Sequence, residues 1–300
     1  MVNGPVIIED FADPAFYRDV DFWHAFATCN QNQSVNIQMA RSRDFDKWER
    51  IVDDALPDLP RWVNLPMPFV WAPSVTCLDN GTYILYYAAS MASDPRFHCI
   101  GVASSDNITG PYDPDPEPWA CALERGGAID ASAFQDVSGQ RYVVYKIDGN
   151  SLGSGGACNN GIPPIQPTPI MLQAVAADGV TKQGKATQIL DRTDKDGPLV
   201  EAPSIHQAAD GSYVLFYSSG CFSDPSYDIR WASANDIRGP YTRFGTLLKT
   251  GMMGLTAPGG ADVIDGGRMM FHADFGKGRA MYTTQVAHGG AAVRLVQYDG

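Results

Sequence analysis

Three hundred residues carry 34 acidic against 22 basic side chains, a net charge of -12 that disfavours nucleic acid and anionic membranes as partners. Apolar residues make up 44% and charged residues only 19%, enough for a core and too few charges for a disordered chain. No apolar run is long enough to span a bilayer, and Met1-Val2-Asn3-Gly4-Pro5 does not read as a signal peptide, leaving a cytosolic chain or a removed leader.

In chain order, a repeating plan emerges. The first segment, Ala12-Asp13-Pro14-Ala15-Phe16, leads into two runs of aromatic and β-branched residues at 21–27 and 35–40. The second opens Trp71-Ala72-Pro73-Ser74-Val75, turns through Asp79-Asn80-Gly81 into Thr82-Tyr83-Ile84-Leu85-Tyr86-Tyr87, then runs through 100–105 to Gly110-Pro111-Tyr112. The third opens Ile129-Asp130-Ala131-Ser132, turns at 136–139, and continues through 141–146 and 170–175. The fourth is nearly a copy of the second. Val200-Glu201-Ala202-Pro203-Ser204-Ile205 turns through Asp210-Gly211 into 212–217, and 229–234 runs on to Gly239-Pro240-Tyr241. The fifth opens Ala257-Pro258-Gly259-Gly260-Ala261-Asp262 and turns through Asp265-Gly266-Gly267 into 268–272. Asn-Gly or Asp-Gly between two apolar runs is a strong hairpin signal.

Five units of four strands at a spacing of roughly 55–70 residues predict an all-β, five-bladed β-propeller with long insertions, one domain over 1–300. A β-sandwich is the lesser alternative, and no long amphipathic helix is evident. In a propeller, the openers and the loops after the second strands share one face. Cys158 and Cys221 fall in such loops of consecutive blades and pair beside that face, and Cys99 with Cys121 is a second candidate pair. Cys77 is read as a buried thiol; Cys29 is left open. Sequons at Asn32, Asn80 and Asn107, with the acidic balance, favour a secreted, extracellular protein.

Asp13, Asp130 and Glu201 open three of the five units, so their carboxylates converge around one axis. Glycosidic bond cleavage needs a protonated acid at the leaving oxygen and an ionised carboxylate opposite it. Glutamate is the longer and less acidic of the two acidic side chains, which suits Glu201 to the acid role. A nearby charge on Asp130 would keep Glu201 protonated. Taken singly, Asp13 before a proline is an ordinary turn residue, and Glu201 could as well pair with an arginine. His24, His206 and His272 fall on predicted strands and read as packed or hydrogen-bonded. No His/Cys spacing fits a metal site.

The Ala-Asp-Pro, Ile-Asp-Ala and Glu-Ala-Pro-Ser openers, in that order on five blades, resemble glycoside hydrolase family 43. That resemblance covers nearly the whole chain. It implies an inverting arabinofuranosidase, arabinanase or xylosidase, with Asp13 as base, Asp130 as pKa modulator and Glu201 as acid. It also implies that Arg279 binds sugar hydroxyls, and Trp71, just before the second opener, is placed to wall the pocket. Many members carry a histidine in the fifth opener, near a central metal or water; here that position is Gly260, which speaks against a structural calcium. No cofactor is required by the chemistry. The sequence runs out at Tyr298-Asp299-Gly300, leaving no room for the extra β-sandwich of many xylosidases, and this tilts the expectation to an exo-acting α-L-arabinofuranosidase on arabinan or arabinoxylan. A β-xylosidase or endo-arabinanase is the alternative within the family. The expected partner is an arabinose- or xylose-containing polysaccharide or oligosaccharide, met by a monomer. A retaining fructan enzyme would need an Arg-Asp-Pro that is missing, and a non-catalytic sugar-binding propeller would have little need for three acids together.

Overall fold

The structure is a computed structural model that describes residues 1–32, 34–289 and 292–296. Five antiparallel sheets stand in a ring, a five-bladed propeller as expected. Blade 1 is Ala15–Arg18, Trp23–Ala27, Gln38–Ser42 and Glu49–Ile51; blade 2 is Trp71–Cys77, Tyr83–Ser90, His98–Ser105 and Asp113–Pro114. Blade 3 is Ala128–Gln135, Arg141–Ile147, Ile170–Val175 and Lys182–Leu190, and blade 4 is Val200–Gln207, Tyr213–Ser219, Asp228–Ala234 and Thr242–Lys249. Helical structure among the described residues is confined to short 3-10 turns.

Blade 5 is built differently from its sequence reading. Its inner strands Gly259–Ile264, Arg268–Phe275 and Gly278–Gly289 come from one end of the chain, and Asn3–Ile7 from the other pairs with the third of them. Ala292–Val296 pairs farther along that same strand, from Gln285 to Gly289. The Gly4-Pro5 interruption hides Asn3–Ile7 as a strand in the sequence, because proline lacks a ladder donor and is tolerated at an edge. Tyr298-Asp299-Gly300 lie outside the described residues.

Strand alternation explains the ring. Successive side chains on a strand point to opposite faces, so a second strand covered on both faces reads as continuously apolar. Ile84 and Tyr86 pack with Val143 and Tyr145 of blade 3, whereas Leu85 and Tyr87 pack with Phe26 and Met39 of blade 1. Tyr142 and Val144 meet Leu215 and Tyr217, and Val214 and Phe216 meet Val263 and Phe271. Phe16, Trp23, Met270 and Met281 close the circle. Each such buried side chain contributes roughly 1.5–3 kcal/mol, so the five inter-blade cores rather than the short strands hold the ring together.

Every inner strand is kinked at its start. Asp13, Ala72, Asp130, Ala202 and Gly260 all have φ between 44° and 58°, a left-handed geometry that is uncommon away from glycine. In blades 2 to 5 the ladder slips in register at this point. The five kinks line a narrow axial channel of about 40 Å³. Strain repeated at one position of every blade is a feature of the architecture, and such strain concentrates at functional sites.

Candidate active site

Above the channel the openers and the rim loops enclose a cavity of about 660 Å³. Asp13, Asp130 and Glu201 all line it, together with Trp71 and Arg279, so the five residues expected at a site do meet. The three acids do not occupy one equivalent position, however. Asp13 and Asp130 sit on the kinks, while Glu201 stands one residue before the kink at Ala202, where blade 2 has Trp71. This offset spreads the carboxylates: two lie over the axis and the third stands on the wall.

Asp13 is held by three neighbours. The Thr28 hydroxyl donates to Oδ2 at 2.7 Å, Arg279 lies 3.5 Å from Oδ1, and the Asp13 amide donates to His272 Nδ1 at 3.0 Å. Burial opposes its charge, but the Arg279 guanidinium and the Thr28 hydrogen bond outweigh it and hold the carboxyl below its usual range. Burial drives His272 down to about 3, so the imidazole is neutral and Arg279 is the counter-charge that counts. Arg279 therefore faces the carboxylate Asp13 directly, and it also lies over the Phe222 ring at 5.3 Å.

Asp130 behaves oppositely. Burial first, and the charge of Glu201 second, push it up to about 8, against Lys146 and a 2.9 Å hydrogen bond from the Ala202 amide. Asp130 therefore holds a proton at neutral pH in the free protein. The sequence argument has Asp130 as the charge that keeps Glu201 protonated; in the structure the two carboxyls share the site, burial and Glu201 raise Asp130, and a third partner sits on Glu201. That partner is Lys146, whose Nζ lies 3.0 Å from Glu201 Oε2 and 2.8 Å from Asp148 Oδ1. Tyr227 donates its hydroxyl to Glu201 Oε1 at 2.8 Å.

Lys146, Asp148, Tyr227 and Thr28 are site residues that the sequence reading passes over. A signal existed for one of them: Lys146 ends a strand of apolar residues facing two cores, where an ammonium needs a buried partner. His272 reads as packed or hydrogen-bonded, and it is both: the ring is fully buried and its Nδ1 accepts from the Asp13 amide.

The missing fifth-opener histidine has a physical explanation. A Cβ on Gly259 would lie 1.8 Å from the Tyr227 ring, and one on Gly260 would lie 2.7 Å from the His272 ring and 2.9 Å from Asp13 Oδ1. The glycine pair is thus a bed for two rings, which stack 6.0 Å apart at 12° and present one polar atom to Glu201 and one to Asp13. A central calcium finds little here. Position 260 has no side chain, His272 Nδ1 is occupied, and among the described residues no three His, Cys, Asp or Glu groups are placed to hold a metal ion.

The walls are ordered by packing and by disulfides. Trp71 stacks on His98 with ring centroids 3.7 Å apart at 15°, so its indole is fixed in place as a wall of the cavity. Cys158 and Cys221 are bonded, tying the 149–169 loop to the rim of blade 4, and Cys99 is bonded to Cys121. Cys29 and Cys77 are free, the first buried and the second half-buried. Asn32, Asn80 and Asn107 are exposed.

The sequence and the fold both have known relatives. An extracellular endo-alpha-(1->5)-L-arabinanase of Thermotoga petrophila is 25% identical over 261 residues, 76% of this chain and 50% of that protein. The chain thus spans half the length of that relative. Xylosidase/arabinosidase 43A of Humicola insolens is 27% identical over 240 residues, 72% of this chain and 68% of that protein. Among solved structures, a thermostable family-43 glycoside hydrolase superposes with a TM-score of 0.78 at 21% identity, over 98% of this chain and 94% of the other. The family model described as glycosyl hydrolases family 43 matches residues 2–285, and with kinked openers, ring of blades and converging acids in place, the chain belongs to that family.

Proposed function

We propose that the protein is an inverting, exo-acting α-L-arabinofuranosidase that trims arabinan or arabinoxylan. The observation that carries the reading is the convergence of Asp13, Asp130 and Glu201 in one walled cavity. Asp13, ionised beside Arg279, takes a proton from a water as that water attacks the anomeric carbon. Glu201 gives a proton to the glycosidic oxygen as its bond to that carbon breaks. Asp130, above the axis between them, carries the site's spare proton and bonds the Ala202 amide next to the acid. Trp71 and Phe222 offer apolar faces to a sugar ring, and Arg279 has a guanidinium edge beside the base.

A second reading, β-xylosidase or endo-arabinanase, is favoured by the activities named for the Humicola and Thermotoga relatives. Secretion is supported by the extracellular designation of the Thermotoga relative and by two disulfides, which persist in oxidising compartments. The test is a panel of aryl arabinofuranoside, aryl xyloside, linear arabinan and arabinoxylan, with NMR of the first-formed anomer. Release of arabinose with inversion supports the reading. Retention, or no turnover of any pentoside, overturns it.

A further inference from the structure

We propose that Lys146, braced by Asp148, is a positioning residue for Glu201: it pins one carboxylate oxygen and leaves Oε1 as the oxygen that delivers the proton. This rests on the reading of Glu201 as the acid. Lys146 comes from the end of Arg141–Ile147 and is fully buried, with its Nζ between Asp148 Oδ1 at 2.8 Å and Glu201 Oε2 at 3.0 Å. An ammonium has three donors and no acceptor, so Oε2 facing it can only accept. A proton on Glu201 must then sit on Oε1. A tyrosine hydroxyl both donates and accepts, so Tyr227 at 2.8 Å from Oε1 can receive that proton's hydrogen bond until a leaving oxygen takes its place.

Asp148 is the other half of the device. The Ser151 hydroxyl donates to its second oxygen, and the lysine and that hydroxyl hold its carboxyl below the usual range against the opposing effect of burial. Asp148 takes the shorter of the two lysine contacts, so Glu201 feels a lysine already half neutralised. The other charged or titratable groups facing this cluster are Asp130 from blade 3, Arg279 and Asp13 from the side of the base, and His98 beside Asp148. Burial drives His98 down to about 4, so it brings no charge. Removing the lysine charge and removing the aspartate charge should therefore move the acid in opposite directions.

The experiment is the pH profile of kcat/KM for Lys146→Met, Asp148→Asn and the double variant on a disaccharide with a sugar leaving group and on a dinitrophenyl glycoside. The dinitrophenolate leaves without protonation. Lys146→Met should raise the alkaline limb by about one pH unit and lower kcat on the disaccharide about 10²-fold, with a loss of only a few-fold on the dinitrophenyl substrate. Asp148→Asn should lower the alkaline limb, and the double variant should fall between the two. If Lys146→Met does not accumulate as folded protein, Asp148→Asn alone decides. An alkaline limb that stays put or rises in Asp148→Asn overturns the proposal, as do shifts of one sign in both single variants or equal losses of Lys146→Met on both substrates. Glu201→Gln is the control for the underlying reading. If it hydrolyses the disaccharide at the wild-type rate, Glu201 is not the acid. If it is inactive while the limb is indifferent to Lys146 and Asp148, only the positioning role fails.

Discussion

Blades 2 and 4 share their opener, hairpin turn and terminal tyrosine, and differ at the position just before the kink. Both open Ala-Pro-Ser with a left-handed alanine, Ala72 at 44° and Ala202 at 48°. Both turn through a glycine, and both end in a tyrosine whose hydroxyl donates to the carbonyl four residues earlier, Tyr112 to Ile108 and Tyr241 to Ile237. The residue just before the kink is Trp71 in one and Glu201 in the other. The shared residues build a blade, and the unshared one decides whether that blade contributes a wall or an acid. A repeat architecture separates the two tasks because each blade offers the same site-facing position on an identical frame.

The largest effect expected is at that position in blade 4. Glu201→Gln keeps the shape and the contact from Tyr227 but cannot supply a proton, so kcat on a sugar leaving group should fall by about 10³-fold or more. Melting should remain close to wild type, since the Lys146–Asp148 contact persists. Loss of fold together with activity would make Glu201 a structural residue, like its counterpart's alanine neighbour, and erase the contrast with blade 2.

Asp130→Asn comes next and carries a pH signature. An unfolded aspartate is ionised above about pH 4, whereas burial and Glu201 keep Asp130 protonated up to about 8 in the fold. Between those values the folded state binds the extra proton, so this group makes stability fall as pH rises, and the fall ends above about 8. The asparagine variant lacks that fall. Its melting temperature relative to wild type should climb between about pH 5 and about pH 9, while activity drops about 10²-fold or more. A constant difference across that range would mean that Asp130 titrates normally.

The ring and its site face were legible because both rest on local signals that recur along the chain. Pro-Ser openers, Asn-Gly and Asp-Gly turns and Gly-Pro-Tyr ends each recur in a fixed order, and counting them also paired Cys158 with Cys221 and Cys99 with Cys121. What stayed hidden depends on distance in sequence. Asn3–Ile7 becomes a strand only by pairing with Gly278–Gly289, far along the chain. Lys146 declares its role only when Glu201 arrives from the next blade. His272 reads as packed or hydrogen-bonded, and only the fold shows that Asp13 is its partner. The upward push on Asp130 was beyond reach for the same reason: it depends on burial and on Glu201 arriving from the next blade, and neither depth nor distance shows in the openers.

Trp71 sharpens the comparison from the blade 2 side. Its indole rests on His98 and contributes surface rather than charge. Trp71→Ala should raise KM about tenfold, roughly 1.4 kcal/mol of binding, and leave kcat within about threefold. Equal loss in kcat and kcat/KM would instead place the indole in the transition state.

The smallest effect tests whether the shared frame is interchangeable. Gly81 and Gly211 sit in matching hairpins, at φ 89° and 85°, each donating its amide to the carbonyl three residues back, of Leu78 and Ala208. A Cβ at either would meet nothing within 4 Å, so the only penalty of alanine is the left-handed backbone. That penalty is about 1 kcal/mol, which in a domain of this size lowers the melting temperature by about 2 °C. Gly81→Ala and Gly211→Ala should give the same small drop and unchanged hydrolysis, measured by thermal melts and kcat/KM. Both turns lie on the face opposite the cavity, so a stability loss confined to one blade, or an activity loss in either, would show that the two frames are not equivalent and that the position before the kink is not their only functional difference.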